Sequence, residues 1–203
     1  MKILFEDENI IVCIKVRGIL SQADSNGIEN MVSILEEHSR GKIYPIHRLD
    51  REVGGVMVYA KTKKSAANLS AQIIDNRLIK EYVALVYGKP SEDSGIMEDL
   101  LFKDSKRNKS YVVKRERRGV KKANLEYSII ESDEKTSRVK IRLHTGRTHQ
   151  IRVQFASRKM PLLGDRKYGA GDDIKFIHLW SYRLSFFHPI SGENLTFEYE
   201  PDF

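Results

Sequence analysis

Two runs decide the fold: Ala123-Asn-Leu-Glu-Tyr-Ser-Ile129 and Val139-Lys-Ile-Arg-Leu143. In the first, Ala123, Leu125, Tyr127 and Ile129 alternate with Asn124, Glu126 and Ser128. In the second, Val139, Ile141 and Leu143 are opposed by Arg138, Lys140, Arg142 and His144. A period of two is that of a strand, and the polar turn Asp133 to Thr136 between the runs makes them an antiparallel pair with one polar face. Downstream, Gly146 ends the pair, and Ile151 with Phe155 predicts a helix whose other face carries Thr148 and Arg152, spaced i, i+4. Short strands with Gly/Pro turns are expected over residues 176–200. Upstream, residues 2–6 and 9–14 read as short strands about the turn Asp7-Glu-Asn9, closed by Gly18. Ile28, Met31, Val32 and Leu35 mark an amphipathic helix between Gly27 and Gly41. Val56 to Ala60 reads as a buried strand. Ala66, Leu69, Ile73 and Ile74 mark a helix capped near Thr62 or Ser65, and a strand follows from Glu81 to Tyr87. Mostly antiparallel strands with helices between some of them define an α+β fold. No repeat or linker divides the chain, so residues 1–203 are read as a single domain.

With 40% hydrophobic and 31% charged residues and five prolines, the chain has the composition of a folded globular protein. The apolar stretch Ile10 to Ile14 is too short for a signal-peptide core or a membrane span, and a single cysteine, Cys13, points to a reducing, cytoplasmic setting. Cys13 lies inside that apolar run and reads as an inert core thiol. The net charge of +7 is localised: Lys103 to Lys122 holds ten Lys or Arg residues against Asp104 and Glu116, leaving the rest of the chain at −1. Such a segment, with Lys106, Arg107, Lys109, Lys114, Arg115, Arg117 and Arg118, suits phosphate binding; a solvated loop or hairpin would look the same. Nucleotide-binding glycine motifs are lacking, and His144 and His149, five apart without an intervening glutamate, do not form a zinc pair.

Two polar runs remain. His47-Arg-Leu-Asp-Arg51 stands before the buried strand, separated from it by Gly54-Gly55, so Asp50 would be held in a loop against a rigid sheet. Taken alone it could equally be a turn aspartate capping backbone amides. Gly146-Arg-Thr-His-Gln-Ile-Arg152 opens a helix, whose first N–H groups attract anions.

Together with Gly54-Gly-Val-Met-Val-Tyr-Ala-Lys61, Lys80-Glu-Tyr-Val-Ala-Leu-Val-Tyr-Gly88, Pro161-Leu-Leu-Gly-Asp165 and Tyr168-Gly169, these runs resemble the RluA family of pseudouridine synthases over most of the chain. The opening Ile3 to Val12 and the closing His178 to Leu184 with His188-Pro189 are similar to that family's ends. The resemblance implies a pseudouridine synthase fold, a mixed, mostly antiparallel sheet with flanking helices around an RNA-binding cleft. It implies a cofactor-free and metal-free isomerase that moves uracil from an N-glycosidic bond to a C5–C1′ bond in rRNA or tRNA. Asp50 matches the nucleophilic aspartate, Tyr82 the tyrosine that stacks on the target base and assists proton removal at C5, and Arg152 the arginine paired with the aspartate. Arg48 matches the residue that enters RNA where the nucleotide is extruded. His47, Arg147, Thr148, His149 and Gln150 are expected to contact RNA, and the basic segment to grip phosphates. No nucleotide cofactor, no membrane and a monomeric state are expected.

The chemistry fits such assignments. A carboxylate nucleophile in a water-excluding site must stay ionised, which a guanidinium neighbour favours. One carboxylate suffices because the base is reattached, whereas glycoside hydrolysis uses two. A uridine in structured RNA must be flipped out to expose C5 and C6. Two departures stand out: Arg51-Glu-Val-Gly-Gly55 replaces the usual x-x-T-S-G, and Lys15-Val-Arg-Gly18 the common Lys-Pro-x-Gly. The first puts hydrogen bonding around Asp50 in question and leaves a catalytically impaired RNA-binding or chaperone-like relative as the alternative. No small S4-type domain is expected ahead of residue 1.

Overall fold

The computed structural model describes residues 1–23 and 27–203. Its chain divides into two compact units, Met1–Lys80 with Trp180–Asp202, and Glu81–Leu179 with Phe203.

The first unit is organised by β4 (Gly54–Ala60), in which every residue is buried. A strand covered on both faces needs an unbroken apolar run, and Val56 to Ala60 supplies one. It pairs antiparallel with β2 (Ile10–Lys15), which pairs with β1 (Lys2–Glu6), and parallel with β10 (Leu179–Phe187) at Trp180↔Gly54 and Ser181↔Gly55. The two-residue β3 (Tyr44–Pro45) adds to β4, and β11 (Asn194–Glu198) adds to β10. Cys13 is fully buried, and burial pushes its thiol up to about 12, as a core cysteine requires.

Helix α1 (Met31–Ser39) starts at a capping box made by Asn30 and Ser33, so Ile28 precedes the helix and is exposed. Helix α2 (Lys63–Ile74) starts at Thr62, whose Oγ1 accepts the Ser65 amide at 3.1 Å. Ile74, expected on the apolar face, is 80% exposed, while Gln72 is buried. The Gln72 amide imitates a strand partner: it donates to the Phe187 carbonyl at 2.7 Å and accepts the Phe187 N–H at 2.8 Å. That satisfies two backbone groups at the end of β10, which an apolar side chain would leave orphaned.

The second unit is a sheet with strand order β5-β9-β8-β6-β7, in which β6–β7, β6–β8 and β8–β9 pair antiparallel: β5 (Ile79–Tyr87), β6 (Ser94–Asp104), β7 (Lys109–Val113), β8 (Val120–Ser132) and β9 (Thr136–Leu143). β8 and β9 pair as their alternation requires, Leu125↔Leu143 and Tyr127↔Ile141. Helix α3 (Gln150–Ser157) lies on the apolar face, where Val153 joins Leu101 and Ala123, and the Tyr127 ring meets Phe155 edge-on at 5.9 Å. The basic segment is therefore no free loop. It forms the β6–β7 turn, strand β7 and the β7–β8 connection. No helix among the described residues is long and apolar enough to cross a membrane.

Candidate active site

In the first unit, the loop bearing Asp50 is fastened through its backbone. Ser21 bridges Leu49 in both directions, its Oγ donating to the carbonyl at 2.9 Å and accepting the amide at 3.0 Å. Gly18 donates its N–H to the Arg51 carbonyl at 2.8 Å, and Arg51 returns a bond from Nε to the Gly18 carbonyl at 2.9 Å. Gly18 does so at φ +87°, a region where a side chain would be strained. The fully buried Lys15 completes the set: Nζ donates to the carbonyls of Val16 and Arg51 at 3.1 Å each and of Val53 at 2.7 Å. Burial lowers the Lys15 ammonium to about 8, against the opposing pull of the Asp50 and Glu52 carboxylates. Three carbonyls absorb all three of its protons.

Asp50 itself is half-buried and its carbonyl closes a turn to the Val53 amide at 3.0 Å. Arg48 is exposed beside it. His47 differs from its neighbours. Its Nε2 accepts the Val58 amide at 3.4 Å, its Nδ1 is buried without a partner among the described residues, and burial, aided by Lys80, drops it to about 3. It is a neutral ring against the middle of β4 and brings no charge to RNA.

The departure at Gly54 has a packing cause, while nothing in the structure explains Val53. A Cβ at Gly54 would sit 2.2 Å from Trp180 Cζ3, and one at Gly55, with φ +129°, 2.2 Å from the Ser181 carbonyl. Trp180 occupies the space a hydroxyl-bearing residue would need. The ring is fixed by Nε1 donating to the Tyr199 carbonyl at 2.8 Å and by the Arg17 guanidinium 5.2 Å from its centroid.

In the second unit, the Gly146–Arg152 run is held by side chains. Gln150 Oε1 accepts from the Thr145 hydroxyl at 2.7 Å and the Arg147 amide at 3.0 Å, while its Nε2 donates to the Asn124 carbonyl at 3.1 Å. Arg147 Nε donates to the Lys122 carbonyl at 2.9 Å. The helix begins later than its periodicity suggests: His149, at φ 55°, is the N-cap, so Thr148 lies outside α3 and Arg152 is buried, not on a solvated face. Arg152 donates from Nε to Asp165 Oδ2 at 2.7 Å and from Nη2 to Oδ1 at 2.8 Å. Asp165 is wholly inaccessible to solvent. The Tyr168 ring lies 5.2 Å from the same guanidinium. The Tyr168 hydroxyl accepts the Ser110 amide at 2.8 Å and stands 3.0 Å from His149 Nδ1, and Ser110 Oγ donates to the Thr148 carbonyl at 2.6 Å. Strand β7 of the basic hairpin is thus stitched to the start of α3. Tyr82 lies buried in β5.

Of the basic residues, Lys106 and Arg107 are exposed in the β6–β7 turn, Lys109 begins β7, and Lys114, Arg115, Arg117 and Arg118 are exposed in the β7–β8 connection. Asp165, Lys15 and Tyr168 escaped the sequence reading as functional residues. The available signal was a lysine directly after the apolar run Ile10–Ile14 and an aspartate directly after Pro161-Leu-Leu-Gly164. Among the described residues, no cluster of three or more His, Cys, Asp or Glu side chains could hold a metal ion.

Comparison with known proteins identifies the class. The RNA pseudouridylate synthase profile matches residues 9–157. The chain is 33% identical over 98% of its length to ribosomal large subunit pseudouridine synthase D of Zymomonas mobilis, covering 69% of that protein. It is 32% identical over 99% of its length to the dual-specificity RNA pseudouridine synthase RluA of Salmonella typhimurium, covering 93% of it. In fold it superposes on human RNA pseudouridylate synthase domain containing 1 with a TM-score of 0.81 at 20% identity, over 100% of this chain and 84% of that one. The chain belongs to the RluA family of RNA pseudouridine synthases, and is an isomerase.

Proposed function

We propose that this enzyme converts a specific uridine of ribosomal or transfer RNA to pseudouridine with Asp50 as nucleophile. The observation that carries the reading is the seating of Asp50: a half-buried carboxylate on a loop whose carbonyls are locked from beneath by one buried ammonium. Such a seat holds a nucleophile within the narrow tolerance that covalent catalysis needs. The target nucleotide is flipped out, Tyr82 stacks on its base, Arg48 occupies the vacated position, and Arg152 is the guanidinium that keeps the nucleophile ionised. Asp50 attacks the base or the ribose. The N1–C1′ bond breaks, C5–C1′ forms, the proton on C5 leaves and N1 gains one, so no water or redox partner is consumed. The exposed cations of the β6–β7 turn and the β7–β8 connection neutralise RNA phosphates.

Carbodiimide mapping of cellular RNA with and without the protein identifies the uridine. The bond Asp50 makes to the base or ribose is broken again before product leaves, regenerating the carboxylate; Asp50→Ala is therefore expected to abolish isomerisation and leave RNA affinity largely intact, and unchanged turnover in that variant would remove the assignment. Free uracil in the product mixture would instead mark a hydrolase.

A further inference from the structure

The second unit's sheet has two faces, and the sequence of β6 assigns its residues between them. Leu101 points toward α3, where it packs with Ala123 and Val153. By alternation, Leu100 and Phe102 point the other way. The register places Phe102 beside Tyr111 of β7 on one side and Val120 of β8 on the other, and Leu100 beside Val113 and Lys122. All of these apolar side chains are half-exposed. Two aromatic rings are direct cross-strand partners there, a separation of about 5 Å between Cβ atoms. The Arg117 guanidinium stands 4.8 Å from the Phe102 centroid, and Lys109, at the sheet edge, is 5.8 Å from that of Tyr111. Gly119 lies against the Phe102 ring edge, where a Cβ would already touch it at 3.5 Å.

A solvated sheet face ordinarily carries polar side chains on these positions, as the same face does farther along at Glu98, Asn124 and Glu126. An aromatic pair bordered by Lys109, Arg117 and Lys122 has instead the two components of a single-strand platform: π faces for bases and cations for the intervening phosphates. Duplex RNA presents its bases edge-on inside a stack and offers nothing to such rings.

We infer that the Phe102–Tyr111 face of the basic hairpin binds an unpaired segment of the RNA substrate by base stacking, so that the enzyme selects targets flanked by single-stranded nucleotides. This rests on the RNA-modifying reading and deepens it by naming the conformation of RNA that the hairpin grips.

The test uses Phe102→Leu and Tyr111→Leu, singly and together, in the full chain. Leucine keeps apolar bulk on the sheet and removes the π face. Affinity is measured for a labelled oligouridylate and for a blunt duplex of equal length over a salt series. The double variant is expected to bind the oligouridylate at least about tenfold more weakly at every salt, with unchanged salt slope and unchanged duplex affinity. Undiminished oligouridylate binding, or an equal loss for the duplex, overturns the proposal. Tyr111→Trp gives an independent reading, because stacking quenches indole fluorescence. Quenching on saturation with oligouridylate is expected, and its absence also overturns it. Affinity is read here without turnover, so an inactive wild type would refute the function proposed above and leave this inference to stand or fall by itself.

Discussion

The two units secure their proposed functional groups by opposite means. In the first, the hold is on the backbone beneath Asp50: Ser21, Gly18 and Lys15 bond the carbonyls and amides of residues 49–53, and the carboxylate rides on that fixed loop. In the second, the backbone of α3 only brings Arg152 near its place, and the guanidinium is then aimed by the two oxygens of Asp165. The difference follows from side-chain length. An aspartate has two rotatable bonds, so fixing its backbone nearly fixes its oxygens. An arginine has four and must be gripped at its end, by a planar partner that matches its fork.

If that contrast is right, Asp165 carries the largest single effect. Asp165→Asn removes the Asp165 carboxylate from the buried Arg152 guanidinium, and a loss of about 3–5 kcal/mol in urea unfolding is expected, together with loss of turnover. The pairing of Arg152→Met with Asp165→Leu separates the two consequences. Removing both charges restores most of the stability, while turnover stays lost. Recovery of turnover in the double variant would show that the arginine is a structural cation only.

The first unit offers the matching test at Lys15. Lys15→Met keeps the stem and removes one donor from each of three carbonyls, of which Arg51 retains the Gly18 N–H, an expected cost of about 1–3 kcal/mol. The pH dependence has a definite sign. Burial holds the folded ammonium at about 8, below the ordinary 10.5, so between those values the unfolded chain binds more protons than the folded one. The Lys15 contribution to stability therefore rises with pH across that window, and is smallest below about 8. Urea melts at pH 7.5 and pH 10 should show the wild type gaining on Lys15→Met. A gap that narrows would mean the ammonium is not buried in the folded state.

The glycine departure sharpens the same side of the comparison. Gly54→Ser, which restores the family's usual hydroxyl, meets Trp180 and should destabilise by about 1–3 kcal/mol. Combining it with Trp180→Leu should recover part of that loss. If Gly54→Ser is neutral alone, the tryptophan is not what excludes a side chain there.

What the sequence made legible follows the same division. Strands β1, β2, β4 and β5, the Thr62 cap and the core placement of Cys13 are properties of local pattern and appear within a residue or two of their readings, whereas β6 and β7 had no reading at all. The Asp50 turn was legible because His47-Arg-Leu-Asp50 is contiguous. Thr148 and Arg152 were read onto one helix face because they are four apart; a left-handed His149 moves the helix start past Thr148 and voids that spacing. The partner of Arg152 lies thirteen residues away across a loop, a separation with no periodicity to betray it. Ile74 and Gln72 exchanged places for a related reason: the requirement Gln72 meets belongs to Phe187, far along the chain. Contacts set by tertiary pairing leave no local trace.

The smallest expected effect lies where the second unit's side-chain scheme reaches its outer edge. Tyr168 stands between Arg152, 5.2 Å from its ring, and β7, whose Ser110 amide donates to its hydroxyl. Tyr168→Phe keeps the ring under the guanidinium and removes only the hydroxyl. Ser110 is buried, so its orphaned N–H should cost about 1 kcal/mol, a fall of a few degrees in Tm. Burial raises the Tyr168 hydroxyl above its usual value, so it remains protonated at physiological pH and stays available to donate toward His149 Nδ1. If the ring alone steadies Arg152, kcat on a saturating substrate is retained while RNA affinity weakens, because the hairpin has lost a tie to α3. A fall in kcat with unchanged affinity would place the hydroxyl in the alignment of the arginine itself, and the second unit would then depend on one more atom than its ion pair.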